Sequence, residues 1–316
     1  MALATPALGA QTAAASVRAA LTRRERDTAG TVLAALLLLA TFFTLLILAT
    51  LMARLFSEAG PYLLDRGVSF GTEPIGSDPD SIGVWSGLYG SIGIGIAVIV
   101  VAIPMGIAAA VYLEEYASAQ NRMTQIILVN IRNLAGVPAV IYGVLGFIIF
   151  VKWIDPVTFG DSVIAAGLTM AVLVLPIVVI TSMEAIRAVP QGLRDGGFGV
   201  GASRWEVTRD HVLPYAAPGI LTGTVLSLAR ALGEAAPLII VGAITGFLPE
   251  TSITGKFTAL PILIYSWTGR AQPPGSEYSF TQAAAGAGVM LLVLVMFFNI
   301  SAILLRNRFE RRRTGS

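Results

Sequence analysis

Six long stretches of this sequence are rich in apolar residues and nearly free of charged ones. About 20 such residues cross the hydrocarbon core of a bilayer as an α-helix. We therefore predict an all-α membrane protein with six transmembrane helices, near residues 30–53, 86–112, 126–151, 162–186, 216–247 and 282–305. The composition agrees, because 55% of the residues are hydrophobic, 13% are charged and the mean hydropathy is +0.77.

The first stretch follows Arg23, Arg24 and Arg26, and basic residues also precede the apolar core of a secretory signal peptide. A signal-peptide core has only about 7–15 residues, so we interpret this longer stretch as a retained membrane anchor. The predicted organisation is an N-terminal tail, 1–29, a transmembrane domain, 30–305, and a basic C-terminal tail, 306–316.

The basic residues are unevenly divided between the two sides that six spans would create. If the N-terminus is cytoplasmic, that side holds fourteen arginines and the other side holds five arginines and lysines. Because cytoplasmic segments carry the excess of basic residues, both termini are predicted to be cytoplasmic.

The segments between the spans differ in character. Those near 54–85 and 248–281 are rich in Pro, Gly, Ser and Asp and are predicted to be outer surface loops. The inner segment 187–214 mixes arginines and acids with apolar residues such as Leu193, Phe198 and Trp205. This pattern predicts a short amphipathic helical hairpin that is available to a cytoplasmic partner.

Two charged residues, Arg230 and Glu234, interrupt the fifth stretch. On one continuous helix, residues four apart share a face and lie about 6 Å apart along the axis, so we expect these side chains to meet. An arginine at the centre of a bilayer costs about 2.5–3.5 kcal/mol and usually faces a protein interior or a hydrated path. The pair either joins helices as a structural ion pair or presents the Arg230 guanidinium to an anionic solute.

If Arg230 binds a solute, Glu234 narrows the choice of anion. Its carboxylate repels a fully ionised oxyanion but accepts a hydrogen bond from one that retains a proton, which favours hydrogenphosphate over sulfate. Partial neutralisation of Arg230 by Glu234 would also keep binding weak enough for release.

Arg132 lies inside the third stretch, ten residues after Arg122. Its side chain either extends to the cytoplasmic interface, as long basic side chains do near helix ends, or makes a second anion contact near the inner mouth of a solute path.

The residue types exclude several kinds of chemistry. The chain has no cysteine and one histidine, His211, so thiol chemistry, disulfides and Cys/His metal sites are not expected. Neither lysine follows a glycine-rich phosphate-binding loop, so no nucleotide site is expected. A net charge of +2 does not indicate nucleic-acid binding. We expect no catalytic residue, no metal and no cofactor.

Four segments resemble one family of transport proteins. "DGGFGVGASRWEVTRDHVLP", 195–214, resembles the cytoplasmic EAA loop of ABC importer permeases, in which the matching positions are Asp195, Gly196, Gly197, Gly201, Leu213 and Pro214. "PMGIAAAVYLEEYA" (104–117), "NLAGVPAVIYGVLG" (133–146) and "ARALGEAAPLI" (229–239) are similar to the PstA-type permease subunit of the phosphate ABC importer. Gly196 and Gly197 stand where alanines are usual, and each costs about 1 kcal/mol of helix stability.

The resemblance implies a type I ABC importer permease fold in the inner or plasma membrane of a prokaryote. It implies a PstC-type permease partner, two PstB-type ATP-binding subunits, and an extracytoplasmic phosphate-binding protein that delivers phosphate. The segment 187–214 would then couple to the ATPase, and Arg230 would guide phosphate through the membrane.

Other functions remain open at this point. The solute could be another oxyanion such as sulfate or molybdate. An ion-coupled secondary transporter could use Glu234 or Glu184 to relay protons, although we detect no inverted repeat. A membrane enzyme is least favoured, because the spans offer no nucleophile with a base.

Overall fold

The computed structural model describes residues 28–118, 120–243 and 251–314. In this part the chain is helical, with one isolated β-bridge between Ser162 and Lys256 and no strand. The all-α prediction is thereby confirmed. Most of the predicted N-terminal tail lies outside the described residues, as do residues 244–250.

We label the main helices of the described residues in chain order. They are α1, Thr28–Arg66; α2, Trp85–Tyr116; α3, Arg122–Ala135; α4, Ala139–Trp153; α5, Val163–Arg187; α6, Gln191–Gly199; α7, Arg204–Gly233; α8, Ala236–Val241; α9, Leu260–Thr268; and α10, Phe280–Thr314. Four-residue helical turns lie at Ser69–Thr72 and Asp155–Thr158. The last helix continues well beyond the predicted span end at 305.

The chain divides into two compact units, up to Arg54 and from Leu55 onwards. In the described part of the first unit, 28–54, the helix α1 exposes its apolar side chains, and none of its most apolar 18-residue window is buried. Leu36, Phe42 and Leu46 are each more than half exposed. Apolar side chains on all sides of a helix are stable in lipid, which supports a membrane span here.

Within the described residues, five helices are long and apolar enough to cross a membrane: α1, α2, α5, α7 and α10. The helices α3 and α4 pass the same test together and make a sixth candidate, but they are bent by 103°. The predicted single helix over 126–151 is therefore wrong. Pro138 begins α4 after the break, because it has no N–H to donate and disfavours helical backbone at Val137. The Tyr142 hydroxyl donates to the Leu134 carbonyl (2.8 Å) and holds the bend.

The predicted helix over 216–247 is also wrong. The helix α7 ends at Gly233, the backbone at Glu234 is extended (φ −91°, ψ 115°), and the short helix α8 then begins at Ala236. Pro237 lies in its first turn, where a missing N–H leaves no helix hydrogen bond unmade. The fifth apolar stretch is thus a broken span in the described residues.

The predicted outer loops contain more helix than expected. The helix α1 continues to Arg66, and α9 is a buried helix whose Trp267 is 0% exposed. It packs on α2 at Gly90, where a β-carbon would lie 1.9 Å from the Thr258 carbonyl oxygen, and the Ser91 hydroxyl accepts from the Leu260 N–H (2.9 Å). Turn-forming residues surround this apolar segment in the sequence, and its burial is a tertiary effect.

At that same end of the second unit, Arg66 ties the loops together. It donates to the Asp80 carbonyl (2.5 Å) and the Ile82 carbonyl (3.0 Å), and it pairs with Glu73. The Asp80 carboxylate accepts from the N–H groups of Glu277 and Tyr278, both at 2.8 Å. Burial raises the pKa of the Tyr278 phenol, and the Asp65 carboxylate adds to this shift.

Candidate functional site

Arg230 lies in the last turn of α7 and its side chain is exposed. It shares one face of the helix with Leu226, which is 65% exposed. The opposite face is buried in the apolar core at Leu228 and Leu232, which are 5% and 2% exposed. Arg230 therefore stands in an apolar span on a face that the described residues leave uncovered.

Glu234 does not share that helix face, so the predicted arrangement is wrong. It lies one residue beyond the end of α7, in extended backbone, and is half-buried. No hydrogen bond or ion pair joins it to Arg230 among the described residues. The two charges are neighbours along the chain, and the Arg230 guanidinium donates no hydrogen bond to a described residue.

The break at Glu234 and the bend between α3 and α4 border the same apolar cluster. Ala235 on one side and Val137 on the other pack against its buried residues. The helices α4 and α8 approach closely, because a β-carbon at Gly143 would lie 2.8 Å from the Pro237 Cα. Two interrupted helices thus meet in the interior of the second unit.

Arg132 lies in the last turn of α3 and lines an open groove between α3 and α5. Glu184 and Arg187 line the same groove, whose remaining walls are apolar. The side chains of Arg132 and Glu184 form no hydrogen bond with another described residue. The sequence does not group these three charges, because their proximity depends on how α3 and α5 pack.

The segment 187–214 folds as a helix and a turn followed by the start of a long helix. Ser203 begins α7 as its N-cap and forms a capping box with Glu206. Gly201 in the turn has a φ of +83°, which a residue with a side chain rarely adopts. The predicted hairpin is present, but its second arm is continuous with the membrane span α7.

The residues matched to the EAA loop occupy different positions in this segment. Asp195 and Gly196 are exposed on α6, and Gly197 is buried against the Val207 side chain. Leu213 is half-buried and Pro214 is exposed, two residues after a π-helical stretch, Thr208–Val212. The wider π turn moves the preceding carbonyl groups away from the proline ring, which would clash with them in an α-helix.

The segment 187–214 exposes several large apolar side chains. Leu193, Phe198, Val200 and Trp205 are between 38% and 84% exposed. Apolar and aromatic side chains grouped on a polar segment indicate a protein docking surface.

The end of α2 carries two consecutive glutamates, and both form ion pairs. Glu114 pairs with Arg187 at the end of α5, and Glu115 pairs with Arg194 on α6 (2.8 Å). Next to them, the Arg204 guanidinium lies over the Tyr116 ring, 5.6 Å from its centroid. In the sequence, these pairs are indicated only because their glutamates and arginines are predicted to lie on the same side of the membrane.

Comparisons with known proteins agree with this architecture. Residues 102–315 match the family model described as "Binding-protein-dependent transport system inner membrane component". The phosphate transport system permease protein PstA 1 of Mycobacterium tuberculosis (strain H37Rv) is 32% identical over 231 residues, covering 73% of this chain and 72% of the relative. PstA of Mycobacterium leprae is 33% identical over 233 residues, covering 74% and 73%.

A second type of permease is also related. PstC 1 of Mycobacterium bovis is 27% identical over 239 residues, covering 68% of this chain and 69% of the relative. The chain is thus similar to permeases of both the PstA and the PstC type.

Solved structures show the same fold. A bacterial ABC transporter that imports alginate, in complex with a pentasaccharide-bound periplasmic protein, aligns with a TM-score of 0.62 at 18% identity, covering 91% of this chain and 96% of that one. The inward-facing MetNI methionine ABC transporter aligns with a TM-score of 0.54 at 18% identity, covering 72% and 94%. The chain therefore belongs to the binding-protein-dependent transport system inner membrane components and is a non-catalytic permease subunit of the ABC importer class.

Proposed function

We propose that this protein is the permease subunit of an ATP-driven phosphate importer and forms half of its translocation path. The similarity to phosphate permeases of mycobacteria over about three quarters of the chain carries this proposal. A PstC-type permease supplies the other half, two ATP-binding subunits hydrolyse ATP, and an extracytoplasmic binding protein delivers phosphate. Both termini and the segment 187–214 lie in the cytoplasm of a prokaryotic cell.

Arg230 is the proposed contact for phosphate in the membrane. An arginine on an uncovered face of an apolar span is unfavourable against lipid, so this face meets the partner permease or the path between the two subunits. Its guanidinium offers paired donors that match the oxygens of a phosphate group.

Glu234 acts separately from Arg230 in this proposal. Interrupted helices are tolerated at membrane depth only where their free backbone groups are buried in protein or line a cavity. The break at Glu234 and the bend at Pro138 border one apolar cluster, which supports a path that passes close to both. The carboxylate there accepts a hydrogen bond from the hydroxyl of hydrogenphosphate, and a solute without that proton leaves the carboxylate unpaired.

Arg132 is the proposed second contact, nearer the cytoplasm. The groove that it shares with Glu184 and Arg187 repeats the combination of arginine and carboxylate found near Arg230. Phosphate that leaves the first site thus meets a second site of similar chemistry.

The segment 187–214 is the proposed docking site for the ATPase. Its exposed Phe198 and Trp205 provide apolar anchors, and the exposed Asp195 precedes both in the chain. Because α7 begins inside this segment and carries Arg230 in its last turn, one continuous helix connects the docking site with the phosphate contact.

Uptake of labelled phosphate into proteoliposomes tests the proposal, with the chain reconstituted beside a PstC-type permease, the ATP-binding subunit and the binding protein. We expect ATP-dependent uptake that excess sulfate or molybdate does not reduce. The Arg230→Gln variant is expected to lose uptake while the complex still assembles, and Arg122→Gln, which changes an exposed arginine outside the apolar stretches, is the control. Uptake of sulfate in place of phosphate would reassign the solute, and normal uptake by Arg230→Gln would remove Arg230 from the path.

A further inference from the structure

We propose that the last turn of α2 receives the movement of the segment 187–214 and passes it into the membrane, through a pair between Arg194 and Glu115 that stays closed during transport. This inference rests on the proposed coupling of that segment to an ATPase. It gives Arg194 and Glu115 a positioning role that no resemblance or comparison assigns to them.

Three consecutive residues of α2 contact arginines from three different elements. Glu114 pairs with Arg187 of α5, Glu115 with Arg194 of α6, and the Tyr116 ring lies under Arg204 of α7, as described above. Consecutive side chains on a helix point in different directions, so the last turn of α2 is held from three sides. The end of this span therefore has little freedom to move independently of the segment.

The contact to Arg194 is the most extensive of the three. Arg194 Nη2 and Nε donate to Glu115 Oε1, at 2.8 and 3.2 Å. Its Nη1 donates to the Val189 carbonyl (2.7 Å) and its Nη2 to the Ile186 carbonyl (2.9 Å), two groups at the end of α5. One guanidinium thus joins α6 to the ends of both α2 and α5.

Burial distinguishes this contact from its neighbours. The side chains of Arg194 and Glu115 are 13% and 9% exposed, whereas Arg187 is 59% exposed in its pair with Glu114. Water and salt weaken exposed pairs, and their net contribution is small. Removing one partner of a buried pair leaves a charge unpaired in protein, which is far more costly. A tilt of α6 away from α2 is therefore opposed mainly at Arg194.

The helix α2 provides the route from this contact to the interrupted helices. Its residues Ile94, Val98 and Ala102 belong to the apolar cluster that borders both helix breaks. It packs closely on α5, because a β-carbon at Gly106 would lie 2.6 Å from a Val178 methyl group. A displacement applied at Glu115 thus reaches the proposed path through contiguous packed side chains.

The ratio of phosphate transported to ATP hydrolysed measures this link in the reconstituted complex. Losing the buried pair in Arg194→Gln is expected to lower that ratio by about tenfold or more while ATP hydrolysis continues. Glu115→Gln should lower it less, since its amide oxygen can still accept from Arg194. Glu114→Gln, which removes a charge from the pair whose arginine is 59% exposed, is the matched control and should change the ratio by less than about twofold.

Because the sequence has no cysteine, two cysteines can be introduced for a second test. In this test a covalent bridge holds α6 and α2 together. We expect the double variant Arg194→Cys with Glu115→Cys to transport poorly, and a short bis-maleimide bridge between the two thiols to restore the ratio. Restoration supports a link that stays closed. Inhibition by the bridge would show that α6 and α2 must separate, which overturns the proposal.

The outcomes also separate this inference from the proposed function. If the wild-type complex hydrolyses ATP without transporting phosphate, the proposed function fails. If the wild type transports phosphate and Arg194→Gln lowers transport and ATP hydrolysis in the same proportion, the residue is only structural and the link is overturned.

Discussion

Gly143 on α4 and Pro237 on α8 lie so close that a β-carbon at position 143 would be 2.8 Å from the Pro237 Cα. The contact joins the two interrupted helices, and backbone atoms on the Pro237 side cannot rotate away as a flexible side chain can. We expect Gly143→Ala to force α4 and α8 apart and to destabilise the fold by about 1–3 kcal/mol. Thermal unfolding of the purified permease measures the loss.

Gly136, in the bend before α4, is the matched control for that variant. A β-carbon there would meet the Asn133 carbonyl oxygen at 3.5 Å, an ordinary contact distance. Equal stability of Gly143→Ala and Gly136→Ala would contradict the close approach of the two broken spans.

The two adjacent glycines of α6 are expected to respond oppositely to alanine. At Gly197 a β-carbon would lie 2.8 Å from a methyl group of the buried Val207, so Gly197→Ala should separate α6 from α7 and weaken ATPase binding. At Gly196 the space is open, and Gly196→Ala should add about 0.5–1 kcal/mol of helix stability. Binding of the purified ATP-binding subunit to each variant, measured by titration, separates the effects. Weaker binding for both variants would show that Gly196 has a role beyond helix geometry.

Gly201→Ala is expected to cost about 1–2 kcal/mol, because the φ of +83° places an alanine β-carbon against its own backbone. Gly199→Ala is the control, since Gly199 has a negative φ and open space around it. Thermal unfolding of both variants provides the comparison. A Gly201→Ala variant as stable as the wild type would mean that the turn readily adopts another conformation.

The Tyr142 hydroxyl holds the bend between α3 and α4, and Tyr142→Phe removes its 2.8 Å hydrogen bond to the Leu134 carbonyl. We expect a loss of about 1 kcal/mol of stability from this single bond. Tyr112→Phe is the control, because Tyr112 is 60% exposed and its hydroxyl donates no hydrogen bond to a described residue. If both variants unfold at the wild-type temperature, the hydrogen bond does not hold the bend.

Arg132→Gln tests the proposed second phosphate contact. We expect reduced phosphate uptake at saturating substrate with delivery by the binding protein intact, because phosphate would leave the first site more slowly. Uptake by Arg132→Gln at the wild-type rate would mean that Arg132 only extends to the membrane interface.

The apolar stretches of the sequence located all six candidate spans, yet they did not reveal which spans are interrupted. Pro176 lies inside the continuous helix α5, whereas Pro138 begins a new helix after a sharp bend. Both are prolines in apolar surroundings. The difference lies in tertiary contacts, in which Tyr142 satisfies a carbonyl at the bend and α8 packs against the helix that follows.

The candidate site, too, was predictable from the sequence only in part. Arg230 was recognised because a charge in an apolar stretch is costly wherever it faces, but its separation from Glu234 depends on where α7 ends. Arg194 and Glu115 are 79 residues apart, and neither stands out in its own segment.

Partition into lipid is a nearly additive property of consecutive side chains, so the sequence by itself determined that this chain is a multispanning helical membrane protein. The choice of partners for its charged residues was decided only by the tertiary structure. Hydrogen bonds and ion pairs depend on distance and direction to within a fraction of an ångström, and packing between remote helices sets both.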